Sequence, residues 1–169
     1  MGGGVWTETS SMRQARFGHT ATLLPDGRVL VVGGCSGDGA LATAEIYDPK
    51  AGFWTVASDM VAARIGHTAT LLPGTDGLVL VTGGSGGQVE DVPLRSAELY
   101  RPDEERGEWM PVSMMSIGRK DHTATLLGGG DVLVVGDDSA EIYRAGRAAW
   151  ESVASPTTKT SPPPSRVAV

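Results

Sequence analysis

Short apolar runs separated by Gly- and Pro-bearing turns recur along the whole chain. No segment of helical length carries a convincing apolar period of about 3.6 residues. The runs VLVVGG (Val29–Gly34), VLVTGG (Val79–Gly84) and VLVVGD (Val132–Asp137) are apolar at consecutive positions and rich in β-branched residues. A strand buried on both faces reads this way. Each run follows the same six letters, HTATLL, at His19–Leu24, His67–Leu72 and His122–Leu127. A turn joins the two: PDGR, PGTDGL and GGGD, compositions that suit a hairpin. After a connection of variable length come AEIY (Ala44–Tyr47), AELY (Ala97–Tyr100) and AEIY (Ala140–Tyr143). The strands WTVAS, WMPVS and WESVA then begin at Trp54, Trp109 and Trp150. Four short strands joined in order predict one antiparallel meander per unit.

The repeat extends upstream of each histidine. A tryptophan stands 13 residues before it (Trp6, Trp54, Trp109), and 6 residues after each tryptophan stands a methionine (Met12, Met60, Met115). An arginine follows 10 residues after the tryptophan (Arg16, Arg64, Arg119), so one unit reads W-x5-M-x3-R-x2-H-T-A-T-L-L. A thin sheet with two apolar faces must stack on neighbours, and such sheets repeated around an axis form a propeller. The predicted fold class is therefore all-β, a partial β-propeller of three four-stranded antiparallel blades.

The double glycine, the following AEIYDP and the tryptophan seven to nine residues after the tyrosine resemble the kelch repeat. The wording GHTATLL…DGRVLVVGG resembles the bacterial form of that family, and the match covers about residues 5–154. The resemblance implies that HTATLL is the innermost strand of each blade and the tryptophan strand the outermost. It assigns blade architecture to Gly33, Gly34, Gly83, Gly84, Gly136, the three histidines, Glu45, Glu98, Glu141, Tyr47, Tyr100, Tyr143, Trp6, Trp54, Trp109 and Trp150. The third copy departs from the pattern. Asp121 stands where Gly18 and Gly66 do, Asp137 replaces the second glycine, and the loop before AEIY is cut short.

The domain boundaries expected are an orphan outer strand of a preceding blade in 1–12, blades in 13–59, 60–114 and 115–154, and a Pro-rich, disordered tail in 155–169. Kelch-type rings close with roughly five to seven blades, so three imply a fragment of a larger propeller or self-association of two copies to complete the ring. Each open end would leave ~500 Å² of largely apolar blade face uncovered.

Composition narrows the function classes. The net charge is -6 with no basic stripe, which excludes a nucleic-acid partner and an anionic membrane surface. Apolar runs fall well short of the roughly 18–20 residues of a membrane span. The opening MGGGVWTETS has neither a basic start nor an apolar stretch, so it is not read as a signal peptide. Location is otherwise unknown, cytoplasmic by default, and secretion of a longer parent protein stays open. The single cysteine, Cys35, forms no disulfide within the chain and reads as an inert loop thiol.

Three repeated histidines invite a metal, but equivalent inner-strand positions in adjacent blades lie roughly 8–10 Å apart. Zinc requires its nitrogens at about 2.0–2.1 Å from one point. The expectation is a structural histidine hydrogen-bonded at a strand corner, with no metal and no cofactor. A partly buried carboxylate must be paired, and Arg16, Arg64 and Arg119 are the repeated partners for Glu45, Glu98 and Glu141. The other reading of those glutamates is an acid–base group facing the channel.

Strand-two-to-three loops share one rim with blade-to-blade connections, and they vary while the strands hardly do. That rim should hold Cys35–Thr43, Ser85–Ser96, Asp138–Ser139, Met60–Arg64 and Met115–Arg119. Binding is expected there, through Gln88, Glu90, Asp91 and Arg95 of the longest loop. The resemblance adds that arginines near the start of the inner strand often bind partner peptides; Arg16, Arg64 and Arg119 match that place and suit an acidic partner. The leading functional expectation is a non-catalytic protein-interaction module. The competing readings are part of a kelch-type propeller enzyme, galactose oxidase-like or sialic-acid epimerase-like, and a non-functional remnant.

Overall fold

A computed structural model describes residues 4–86, 92–136 and 138–153. The first sheet contains β1 (Thr20–Leu23) and β2 (Val29–Val32), followed after a small hairpin by β5 (Ala44–Asp48) and β6 (Phe53–Val56). That hairpin pairs β3 (Cys35–Ser36) with β4 (Gly39–Ala40). The second sheet is β7 (Ile65–Leu71), β8 (Val79–Ser85), β9 (Ala97–Arg101) and β10 (Glu108–Pro111). The third is β11 (Thr123–Leu126), β12 (Val132–Gly136), β13 (Ser139–Arg144) and β14 (Ala149–Val153), with one 3-10 turn at Ala145–Arg147 between the last two. Every four-stranded sheet runs in chain order and every pairing is antiparallel. The protein is all-β, three propeller-type blades in succession.

Register explains why the middle strands are apolar throughout. Leu23, Val29, Tyr47 and Trp54 are mutual partners, so they share one face of the first blade. Leu30 and Ile46, one residue out of phase, occupy the other face. Two cores result, each filled from two blades. Leu30, Val32, Ala44 and Ile46 of the first blade pack on Val79, Val81 and Tyr100 of the second. Leu80, Ala97 and Leu99 of the second pack on Val132, Val134 and Tyr143 of the third. The middle blade is covered on both faces, and every residue of β8 is buried.

The double glycines set the approach of one blade to the next. The Gly34 N–H donates to the Arg64 carbonyl at 2.9 Å, and the Gly84 N–H to the Arg119 carbonyl at 2.7 Å. Gly33 has φ +60°, and a Cβ on it would lie 2.6 Å from the Arg64 carbonyl oxygen and 2.8 Å from His67 Cε1. Both left-handed backbone and contact distance require glycine there.

Among the described residues, 4–10 form no strand and Trp6 is fully exposed. A strand needs a partner edge, and the outer edge of the third blade is already occupied by β14 with Trp150. Asp121 keeps the left-handed conformation of the glycines it replaces, φ 51° against 63° and 68° at Gly18 and Gly66. Aspartate tolerates this region better than most side chains, so the substitution leaves the corner intact. The tail of 155–169 lies outside the described residues.

Gly33→Ala should lower unfolding stability by about 3 kcal/mol, combining left-handed strain with overpacking. Gly27→Ala, at φ +91° with no atom within 4 Å of the added Cβ, should cost about 1–2 kcal/mol from strain alone. Urea denaturation of the two variants beside wild type measures the difference.

Candidate functional site

The rim carrying the strand-two-to-three loops and the blade-to-blade connections is built on a repeated ion pair. Arg16 donates to Glu45 at 2.9 Å, Arg64 to Glu98 at 2.6 Å and Arg119 to Glu141 at 3.2 Å. All three arginine side chains have 0 % exposure. The second guanidinium nitrogen of Arg16 donates to the Gly33 and Thr43 carbonyls, and that of Arg64 to the Gly83 and Ser96 carbonyls. Arg119 repeats this with Gly136 and Ser139. Each arginine therefore ties the inner-strand start to both ends of its own blade's loop.

Each glutamate continues the chain of contacts. Glu98 accepts from the Val61 and Ala62 N–H groups at 2.8 and 3.2 Å, and Glu45 accepts likewise from Arg13 and Gln14. Glu141 accepts from the Ser116 N–H at 2.8 Å. Burial alone would raise the Glu141 carboxyl, but the N–H groups of Ser116 and Ile117 with Arg119 hold it below its usual range. Burial pulls the Arg64 guanidinium down, opposed by its bond and charge interaction with Glu98. A carboxylate with this many donors is a fastener of the connection leading into its blade, not an acid–base group open to the channel.

This corrects the expectation that Arg16, Arg64 and Arg119 meet an acidic partner. A guanidinium with no exposed area, its two terminal nitrogens committed to one carboxylate and two carbonyls, presents no charge at the surface of the rim. Arg95 does lie on the exposed rim, where its Nε donates to the Met115 carbonyl at 2.8 Å. Gln88, Glu90 and Asp91 lie outside the described residues.

The loops cap the next blade's connection with their own backbone. The Arg64 N–H donates to the Leu41 carbonyl and the Met60 N–H to the Ala42 carbonyl; Arg119 and Met115 repeat this with Leu94 and Arg95. Five large apolar side chains project from this rim uncovered: Phe17, Val61, Val92, Met114 and Ile117. Phe17 is tied there by its bridge to Cys35, and Val92 adjoins Pro93, which bridges Ser85. The sequence reading missed these five because single apolar letters inside polar loops carry no period.

The remaining repeat residues are placed in the joints. His67 Nε2 lies 2.9 Å from the Thr20 hydroxyl, and His122 Nε2 lies 3.1 and 3.0 Å from the Thr68 and Thr82 hydroxyls. These threonines belong to the neighbouring sheet, so the ring makes an inter-blade contact, and backbone groups of Arg64 and Val32 also bear on the His67 ring. His19, on the first blade described, is exposed. Each tyrosine packs on its tryptophan at ring-centroid distances of 5.0–5.2 Å. Trp54, Trp109 and Trp150 donate from Nε1 to the carbonyls of Ser10, Ser58 and Ser113, in the connections entering their blades. Among the described residues, no three His, Cys, Asp or Glu side chains are arranged to hold a metal ion, and no helix is long and apolar enough to cross a membrane.

Two stability predictions follow from these contacts. Glu98→Ala should destabilise the fold by about 3–5 kcal/mol by leaving Arg64 buried and unpaired, and Arg64→Met with Glu98→Leu should cost less than the sum of the single changes. Equilibrium denaturation of the cycle checks both. Burial, with the charge of Arg64 and the nearby His122, pushes the His67 imidazole down from 6.5 to about 4. Between those values the unfolded chain binds a proton that the folded chain refuses. Stability should therefore fall as pH drops through 6.5 and level off near 4, by roughly 3 kcal/mol. Denaturant midpoints against pH should show a shallower acid limb in His67→Gln.

Comparison with known proteins agrees with this geometry. The Kelch motif matches residues 16–61. An F-box/kelch-repeat protein of Arabidopsis thaliana is 34 % identical over 115 residues, 68 % of this chain and 27 % of that protein. Among solved structures, YjhT matches with TM-score 0.73 at 14 % identity, covering 91 % of this chain and 56 % of its own. A fungal alcohol oxidase of the AA5 family, in complex with copper, matches with TM-score 0.55 at 14 % identity, covering 89 % of this chain and 46 % of its own. The chain thus spans about a quarter of the plant protein and about half of each solved structure. Three sheets built on one repeat, the first of them matched by the Kelch motif, give the chain kelch-type repeats on a propeller-type fold.

Proposed function

We propose that this chain is a protein-interaction module that contacts a protein or peptide partner through the rim described above. The observation that carries the reading is the exposure of Phe17, Val61, Val92, Met114 and Ile117 in the loops and connections of this rim, where loops vary and strands end. Exposed aromatic and methionine side chains on a rigid support suit the core of a partner interface. The buried Arg–Glu pairs supply the support. Because the guanidinium groups are internal, recognition rests on apolar contact and loop backbone, with Arg95 adding a charge at the edge. An enzymatic role like that of the copper-bound fungal oxidase gains nothing from the tyrosines, which stack on tryptophan, Tyr100 also donating its hydroxyl to the Arg106 carbonyl.

A triple variant, Val61→Ser, Met114→Ser and Ile117→Ser, should lose at least about tenfold in affinity for any protein partner recovered by affinity capture, as expected when buried apolar anchors are removed. Phe53→Ser, on the opposite rim, should leave that binding unchanged. Titration of the captured partner against both variants decides the matter; equal binding by the triple variant overturns the reading.

A further inference from the structure

The adjacent methionines Met114 and Met115 stand at opposite extremes of exposure. Met115 is 0 % exposed and belongs to the second core, whereas Met114 is 65 % exposed on the rim. Met60 is buried, and Met12 and Met110 are half-buried. Among the described residues, Met114 therefore carries the one open thioether. The joint between the second and third blades holds it outward. The Ser113 carbonyl accepts from Trp150 Nε1, and the Ser113 hydroxyl donates to the Ala148 carbonyl, both at 2.8 Å. The Met115 N–H donates to the Arg95 carbonyl, and the Met115 carbonyl accepts from Arg95 Nε. The backbone is thus pinned on either side of Met114.

The exposure is a property of the joint. Asp59, which precedes Met60 between the first two blades, is exposed as well, and so is Ser11, which precedes Met12. The same place in the unit thus carries serine, aspartate or methionine. The fold accepts a polar side chain there, while the methionine that follows is committed to packing in the two later copies, Met60 in the first core and Met115 in the second.

From this pairing of an open with a closed methionine we propose that Met114 is a site of reversible oxidation by hydrogen peroxide, which makes the rim polar there and leaves the fold intact. The sulfur lone pair attacks one peroxide oxygen. An S–O bond forms as the O–O bond breaks, and a proton shift releases water. The thioether is oxidised by two electrons to the sulfoxide, and the peroxide is reduced by two. A sulfoxide is polar, so at Met115 it would disrupt an apolar core. At Met114 it occupies a place filled by Ser11 and Asp59 in the other copies. Cys35 is a weaker target, since its thiol is half-buried and donates to the Ser36 carbonyl. The effect on binding rests on the interaction reading above: an apolar contact of the rim becomes polar, and affinity falls until a thiol-dependent sulfoxide reductase restores the thioether.

Graded hydrogen peroxide followed by digestion and mass spectrometry tests the site. Trypsin leaves Met110, Met114 and Met115 on one peptide, residues 107–119, so fragment ions must separate them. Met114 should gain oxygen at least about tenfold faster than Met60 and Met115. Near-UV circular dichroism and the urea midpoint should be unchanged at full Met114 conversion, and a sulfoxide reductase with dithiol should return the thioether. Equal oxidation of Met114 and Met115, or loss of the near-UV signal in step with the Met114 sulfoxide, would overturn the inference. Affinity for the captured partner should fall at least about fivefold in oxidised wild type. In Met114→Leu, whatever its starting affinity, peroxide should change nothing. Unaltered affinity of fully converted wild type overturns the switch. Normal binding by the triple serine variant instead sinks the interaction reading and leaves the oxidation site standing.

Discussion

A blade of this protein is one sheet thick and apolar on both sides, so it has no interior of its own. Its core exists only in the space between it and a neighbour, and the repeated glycines and histidines serve that approach. The first glycine of each pair removes the side chain that would strike the next blade's arginine carbonyl and histidine ring. The second donates its N–H to that carbonyl. The histidine ring reaches back to a threonine hydroxyl on the blade behind. Hydrophobic burial supplies the drive, and these polar contacts fix the spacing and register at which it occurs.

The buried arginine–glutamate pair solves a second problem, which is how to end strands at a rim whose loops differ. Taking a guanidinium and a carboxylate out of water costs several kcal/mol per ion. The cost is offset because each guanidinium also satisfies two loop carbonyls and each glutamate satisfies backbone N–H groups of the entering connection. Those groups would otherwise be orphaned where regular pairing stops. With loop ends and connection tied to one point, the loop between them is released from any structural duty. The β3–β4 hairpin of the first blade and the longer connection of the second can then differ without disturbing the sheet beneath.

Most of the fold was legible because repetition multiplies a weak signal. A single VLVVGG is ambiguous between strand and buried helix; three copies in the same order with HTATLL and AEIY are not. The Arg–Glu partnership was legible for the same reason, since three arginines and three glutamates recur at fixed places in the unit. The histidine partner was not, because a contact between blades links residues 47 and 54 apart and depends on how sheets stack. The apolar rim was hidden too: Phe17, Val61 and Ile117 sit at places where the other copies carry different letters, so comparing copies dilutes them. The segment around Trp6 is a different case. Its letters match the repeat, but a strand is a property of a pair of edges, and the edge is missing.

The third blade shows how far the repeat can be altered before the architecture changes. Asp121 replaces a glycine without effect because aspartate can enter the left-handed region and the corner needs conformation more than space. Shortening the connection after Gly136 has a different kind of consequence. The sheet itself is unharmed, and pairing runs to the tip of the hairpin. What is lost is the overhang that would clasp a following blade. Among the described residues the rim is therefore uneven: the first blade carries the β3–β4 hairpin beyond its second strand, whereas the third turns back between Gly136 and Ser139, and the repeat tolerates both because the buried Arg–Glu pair holds each sheet below its loop.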